Sequence, residues 1–450
     1  MLFGRFRLLL LLALLNLSLC AKDSFKDFKR FKNTQNKDMS TQQDSTIDTK
    51  IAKFSNYKLQ PPKKLYSTKK PEVMAKTEFI KPEPLGPKVY IDIPKKEPLS
   101  PPNLDGNIEL FGTNFSINIP IVEDLSLPAK EFIKYLQKQD ISTTIADIKS
   151  AKNEFSLNDW AIYLLVQKVS TNSLKSKNSK LLAWMIFNEL EYDVKYALVG
   201  DEPVLLYNIK DGLYEAKWCD IDSKIYYILE NINCSSIYSY EDTKTLKPLD
   251  LSLAILPRLS YDIREKTIGF EYDAKRYSFT FSYNKNLLDF LDSYPEASSD
   301  IYFNSPLDEL SRTTLLSAIA REINTKKSTQ ALDFVLKLVQ NSFVYESDSS
   351  QFKKQKSMFA LQTLFYANSD SEDRAVLFSY LVRELFGFET VGLMYDDHFV
   401  VGLDIPLDGD SIKIDKRDFL ISDPTYQNGK IGQTQLKYSK IKPLKYIIVK

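Results

Sequence analysis

The stretch SDSEDRAVLFSYLVRELFGFETVGLMYDDHFVVGLDI, residues 369–405, changes its local grammar once. Its first half opens with Ser, Asp and Glu and runs to Gly387, which predicts a helix over 372–386 stopped by that glycine. Its second half predicts strands over 390–395 and 398–405, with the acidic pair Asp396-Asp397 at the turn between them. Two further strands are predicted at 411–414 and 419–422. N-terminal to the quoted stretch, Pro306 suits a first helical position and apolar residues recur to Ile323. Ser328 is the expected cap of a helix through Phe343, and another helix is predicted near 357–366. Helices followed by antiparallel strands make this region α+β.

Before it lies a mixed α/β stretch. Residues 108–111 and 115–119 alternate like strands. Pro128 fits the first turn of a helix ending near Gln139, a second helix opens at Leu157 with Asn158 or Ser156 as cap, and a third runs over 179–190. Strands are expected at 194–199, 204–207 and 224–230, then at 268–272 and 277–283 with a hairpin turn over 273–276.

The chain has 450 residues, 43% of them hydrophobic and 12% aromatic, enough for two or three compact domains. A net charge of +1 gives no reason to expect nucleic acid. The charge is unevenly placed: residues 22–105 hold 18 basic and 11 acidic residues, and residues 106–450 hold 40 and 48. Ten of the 20 prolines lie between Pro61 and Pro102, so 22–105 reads as a disordered Lys/Pro-rich tether. Within it, Phe25, Phe28 and Phe31 stand among Lys22, Lys26, Lys29 and Arg30; they read as a basic amphipathic turn for an anionic surface or, more simply, as solvated spacer. Arg5 and Arg7 precede the apolar run 8–15, and Ser18, Cys20 and Ala21 follow it. This is the pattern of a secretory signal over 1–21, cut near Ala21, with a lipoprotein anchored at Cys20 as the alternative. Cys219 and Cys234 flank the strand expected at 224–230, and in an oxidising compartment they either form a disulfide or remain thiols. No Gly-rich phosphate loop, no Cys/His metal spacing and no nucleic-acid module is present. The expectation is therefore no cofactor and no metal.

Three pieces of the last third carry chemistry. Ser371 opens a helix, His398, the single histidine, opens a strand, and Asp423 ends one. A nucleophile at a helix N-terminus gains from the positive end of the dipole, an imidazole takes its proton, and a carboxylate fixes the imidazole tautomer. Gln362 is the candidate side chain for an oxyanion site. Each piece has a plainer reading: Ser371 as part of the helix cap with Ser369 and Asp370, His398 as a strand residue, Asp423 as the start of an Asp-Pro turn. The acids Asp370, Glu372, Asp373, Asp396 and Asp397 suggest a cation site or, more simply, solvated loops.

Ser371-Glu372-Asp373-Arg374, Tyr395-Asp396-Asp397-His398 and Asp423-Pro424-Thr425 together resemble the bacterial transglutaminase-like (papain-related) superfamily over residues 305–435. That family carries a Cys-Glu-Asp-Arg type signature, a Tyr-x-x-His strand entry and a strand-end Asp-Pro-Thr. The resemblance implies a papain-like core and a Cys-His-Asp triad, with serine here in the place of cysteine. A hydroxyl ionises far less readily than a thiol. The expected function is therefore an inactive binding or scaffolding module that takes a peptide, protein or cell-wall ligand in the envelope, touching a membrane only through a lipidated N-terminus. The alternative is a Ser-His-Asp acyl-transfer enzyme. Residues 176–231 echo the unit: Ser179 through Leu190 parallels Arg374 through Leu385, and Ser176, Glu202 and Glu230 fall at the three triad positions. The expected domains are a signal at 1–21, the tether at 22–105, a β/α region at 106–155, a mixed domain with a degenerate second copy at 156–300, and the transglutaminase-like domain at 301–450.

Overall fold

The computed structural model describes residues 106–449, with breaks at 121, 126, 128, 200–201, 215, 222, 231–237, 240–245 and 352–354. The leader, the Pro/Lys-rich segment, Cys20 and Cys234 lie outside the described residues. The chain is α+β.

A hairpin of β1 (Asn107–Leu110) and β2 (Thr113–Ser116) leads into α1 (Ala129–Leu136), α2 (Ser142–Glu154), α3 (Asp159–Ser173) and α4 (Ser179–Glu189). Asn158 caps α3, its side chain accepting from the Ala161 amide at 3.2 Å. After α4 come β3 (Val194–Val199), β4 (Glu202–Asn208), β5 (Lys217–Ile221), β6 (Lys224–Ile228) and β7 (Tyr238–Ser239). They form an antiparallel sheet in the order β5-β6-β4-β3-β7, with Ala197, Val204, Leu206, Tyr226 and Ile228 in one buried cluster.

A long hairpin follows, β8 (Ile263–Tyr272) and β9 (Lys275–Asn284). Tyr272 pairs directly with Lys275, so its turn is only Asp273-Ala274, tighter than 273–276. Both turn residues have positive φ, 52° and 55°, the left-handed geometry that suits the strand twist. Then come α5 (Lys285–Asp292), α6 (Ser299–Phe303), α7 (Glu309–Ile323) and α8 (Ser328–Ser342). Phe334 of α8 meets Phe270 and Tyr277 of the hairpin edge-on, at 5.2 and 4.8 Å between ring centroids. Helix α7 starts later than Pro306, because Asp308 caps it by accepting from the Ser311 amide at 3.1 Å. Ser328 is the first residue of α8, and Lys327 holds the cap position.

The last third runs β10 (Val344–Tyr345), α9 (Asp348–Gln351), α10 (Ala360–Phe365), β11 (Asn368–Ser369) and α11 (Ser371–Phe386). The helix expected from 357 begins at 360. The Ser357 and Met358 amides are drawn off by the carboxylates of Glu296 and Asp373, at 2.8 and 2.9 Å. Gly387 ends α11 in the left-handed conformation, φ 69°. Then follow β12 (Thr390–Met394), β13 (Phe399–Leu403), β14 (Ser411–Ile414), β15 (Arg417–Ser422), α12 (Leu436–Ser439) and β16 (Lys445–Ile448). This second sheet, also antiparallel, has the order β14-β15-β13-β12-β16. Strand for strand in chain order, that is the order of the first sheet. Helix α11 is buried along most of its length, between α8 and β12–β13.

Candidate active site

Asp370, not Ser371, caps α11. Its carboxylate accepts from the Glu372 and Asp373 amides at 2.9 and 3.2 Å, and Asp373 returns the bond by accepting from the Asp370 amide at 3.1 Å. Ser369 is also outside the cap, its hydroxyl accepting from Arg374 Nε at 3.0 Å. Ser371 is left as the first helical residue, its side chain turned to the sheet.

On the sheet, Tyr395 and His398 close the β12–β13 hairpin, the Tyr395 amide donating to the His398 carbonyl at 2.8 Å. The pairing of Val401 with Ser422 brings Asp423 alongside. His398 Nε2 and Asp423 Oδ2 stand 3.0 Å apart. Asp423 Oδ1 accepts from the Thr425 amide and hydroxyl at 2.9 and 2.7 Å and from the Tyr426 amide at 3.2 Å, and Thr434 Oγ1 donates to Oδ2 at 3.3 Å. Burial pushes the Asp423 carboxyl up. The His398 hydrogen bond and charge and the Thr425 bonds outweigh it and hold the group below the usual carboxylate range. With Nε2 at the carboxylate and, at 3.2 Å, at Thr425 Oγ1, Nδ1 is the ring nitrogen left for another partner. The ring stacks on Tyr438, centroids 4.4 Å apart, and the Tyr438 hydroxyl donates to Asp397 at 3.0 Å.

The expected triad residues therefore share one site, with one difference in bonding. The Ser371 hydroxyl accepts from the Phe399 amide at 3.2 Å, and no hydrogen bond between that hydroxyl and the His398 ring is present among the described residues, where the ring's Nε2 meets Asp423 and Thr425 Oγ1. All three side chains are sealed: Ser371 is 5% exposed, His398 6% and Asp423 0%.

Gln362 is not an oxyanion donor. Its Nε2 donates to Asp292 at 2.8 Å and its Oε1 accepts from the Phe359 amide at 2.9 Å, so both ends are committed to anchoring α10. The acids at the helix start are neither solvated nor a metal cage. Among the described residues no group of three or more His, Cys, Asp or Glu could hold a metal ion. Burial, and then the Glu296 and Asp370 charges, push Glu372 up to about 8. Burial, and then Asp370, push Asp348 up to about 7. Asp397, on the turn, is paired with Lys437.

In the first sheet, Glu230 pairs with Lys180, whose Nζ also donates to the Pro203 carbonyl at 3.0 Å. The Ser176 hydroxyl donates to Asp124 at 2.8 Å. Glu202 opens β4 opposite Val199. Cys219 lies half-buried in β5, opposite Tyr226; its expected partner Cys234 is outside the described residues.

Three contributors have no signal in the sequence: Gln340, Thr434 and Tyr438. Each acts through a contact that only the fold creates.

No family model and no curated protein matches the chain. Among solved structures, the chain is similar to a "Putative Cysteine Protease from Cytophaga hutchinsonii", at 12% sequence identity and a TM-score of 0.21, over 53% of this chain and 75% of that one. At that level nothing about a site transfers, and the chemistry rests on the side chains themselves.

Proposed function

We propose that residues 301–450 form a transglutaminase-like, papain-related module that does not carry out acyl transfer and serves an exported protein as a binding or scaffolding domain. The observation that carries this reading is the bond of the Ser371 hydroxyl to the Phe399 amide, 3.2 Å, in place of one to the His398 ring. A serine becomes a nucleophile when a base takes its proton as it attacks. Here the hydroxyl is held by the Phe399 amide, and no bond from it to the ring that would take its proton is present among the described residues. The ligand class is a peptide, a protein or a cell-wall polymer, and the near-neutral net charge of +1 argues against nucleic acid.

Electrophile labelling of wild type, Ser371→Cys and Ser371→Ala tests the reading. The expected result is no labelling of wild type by a serine-directed fluorophosphonate, and prompt alkylation by iodoacetamide at position 371 only in Ser371→Cys. Wild-type labelling that His398→Ala abolishes would overturn it in favour of the second reading, a Ser-His-Asp acyl-transfer enzyme. That alternative draws its support from the 3.0 Å contact between His398 Nε2 and Asp423, which leaves Nδ1 for a hydroxyl.

The setting is part of the proposal. Residues 1–21 direct export, 22–105 act as a tether, and in an oxidising compartment Cys219 and Cys234 either form a disulfide or remain thiols. The intact mass of the mature chain separates cleavage near Ala21 from lipid attachment at Cys20.

A further inference from the structure

Ser371 and Asp423 lie on elements that do not touch through their own side chains. The helix start carrying one and the loop carrying the other are joined instead by two fully buried polar residues. Arg374, 0% exposed, sits one turn into α11. Its Nη1 and Nη2 donate to the carbonyls of Gln340 and Phe343 at the end of α8, at 3.1 and 2.8 Å, while Nε holds Ser369. A planar guanidinium placed on the last carbonyls of a helix satisfies its own donors and the orphan acceptors together. Gln340, also 0% exposed, continues the path. Its Nε2 donates to the carbonyls of Asp423 and Tyr426 at 2.9 and 2.8 Å and approaches that of Gly429 at 3.4 Å. The opposite amide orientation would set Oε1 against those carbonyl oxygens, so the assignment is forced. Lys337 and Asp333, on the same face of α8, hold that loop only beyond Tyr426: Lys337 Nζ donates to the carbonyls of Gln427 and Gly429, and Asp333 accepts from the Ile431 amide.

The first sheet supplies an internal comparison. Helices α3 and α8 each have 15 residues and each follows a link of four residues, 155–158 and 324–327, so Thr171 stands where Gln340 does. Thr171 donates to carbonyls of its own helix, at 2.9 and 3.1 Å. Ser179 stands where Arg374 does. The unit that lacks the His–Asp pair also lacks both bracing residues.

We infer that Arg374 and Gln340 are positioning residues of the Ser371–His398–Asp423 site: through α8 they set the span between the helix start and the Asp423 loop, and so hold the carboxylate on the His398 ring. This rests on the functional reading above only for the location of the site, and it holds whether or not Ser371 reacts.

The test uses the single histidine. In the full chain, the His398 Nε2–H bound to Asp423 gives a solvent-protected low-field imidazole proton in NMR spectra. Gln340→Met and Arg374→Lys are expected to remove that resonance, or to speed its exchange at least tenfold, while far-UV circular dichroism keeps the wild-type form. Lys337→Met, which releases the loop at Gln427 and Gly429 and leaves the bonds to the Asp423 and Tyr426 carbonyls intact, is expected to leave it in place. In a Ser371→Cys background, Gln340→Met is expected to slow iodoacetamide alkylation at position 371 at least tenfold, read on the peptide that contains it. A folded Gln340→Met protein with an unchanged resonance overturns the inference. So does loss of the resonance in Lys337→Met to the same degree. If Gln340→Met fails to fold, Gln340→Asn and Arg374→Lys carry the same measurement. If Ser371→Cys shows no reactivity in any background, the nucleophile assignment fails, and the imidazole proton still decides the brace.

Discussion

The two five-stranded sheets are built alike and furnished differently. Three helices before each sheet correspond, α2, α3 and α4 to α7, α8 and α11, and each sheet adds its last strand to the edge beside its first. The middle helices share Lys168/Lys337, Asn172/Asn341 and Ser173/Ser342 at matching places. Hairpins Val199–Glu202 and Tyr395–His398 both enclose two residues. Further along, Tyr207 faces Tyr227 and Leu403 faces Leu420; Glu230 and Asp423 then follow at the same remove. Reading the two as copies of one unit extends the proposal above to residues 142–239. The contrast lies in what fills the shared positions. The second unit has a sealed imidazole–carboxylate pair, a brace, and an insertion at 343–370 where the first has only the link 174–178. The first has a Lys180–Glu230 ion pair whose side chains are each 30% exposed. The comparison teaches that the framework folds without the triad, and that the triad needs supports the framework does not supply.

The sharpest way to break the comparison is to remove the corresponding carboxylates. Asp423→Ala strands several buried donors, and urea denaturation of the full chain is expected to show a loss of about 3 kcal/mol. Glu230→Ala removes a solvent-screened pair and is expected to cost less than about 1 kcal/mol. Equal losses would show that the two positions are not electrostatically distinct.

A pH effect belongs to the second unit. Glu372 and Asp348 titrate near 8 and 7 in the folded chain, and at ordinary carboxylate values, about 4, when unfolded. The folded state therefore holds protons that the unfolded state has released. Their stabilising contribution is full below the unfolded pKa and is lost as pH rises through the folded values. Melting temperature is expected to fall between about pH 5 and about pH 9, and Glu372→Gln is expected to flatten the upper part of that fall. An identical slope in the variant would remove Glu372 from the account.

The smallest effect tests the hydroxyls. Ser371→Ala loses the bond from the Phe399 amide and is expected to cost about 1 kcal/mol. Ser176→Ala breaks an exposed contact with Asp124 and is expected to cost less, in the same denaturation experiment. A stabilising Ser371→Ala would mean that the Phe399 amide finds a better partner without it.

Much of the framework was legible because it depends on neighbours in the chain. Gly387 and Asn158 do what glycine and asparagine do at helix ends, and the β8–β9 hairpin follows from alternation on both sides of a short polar turn. Strand β16 was missed because Lys445–Ile448 becomes a strand only by pairing with β12. Helix α12 is four residues long, too short to leave a period. Gln362 was misread because a buried amide looks the same in sequence whether it faces a substrate or, as here, Asp292. The lateness of α7 and α10 has one cause: nearby carboxylates capture backbone amides more strongly than a favourable φ can recruit them.

The order of residues alone placed Ser371 at a helix start, His398 at a hairpin and Asp423 at a strand end, because backbone propensities and periodicity act over a few residues. It could not decide which ring nitrogen meets the carboxylate, that the serine hydroxyl would turn to the Phe399 amide, or that Arg374 and Gln340 would span the gap. Those outcomes depend on hydrogen-bond geometry between elements remote in the chain, where a shift of an ångström makes or unmakes a bond, and only the packed helices and sheet set distances that finely.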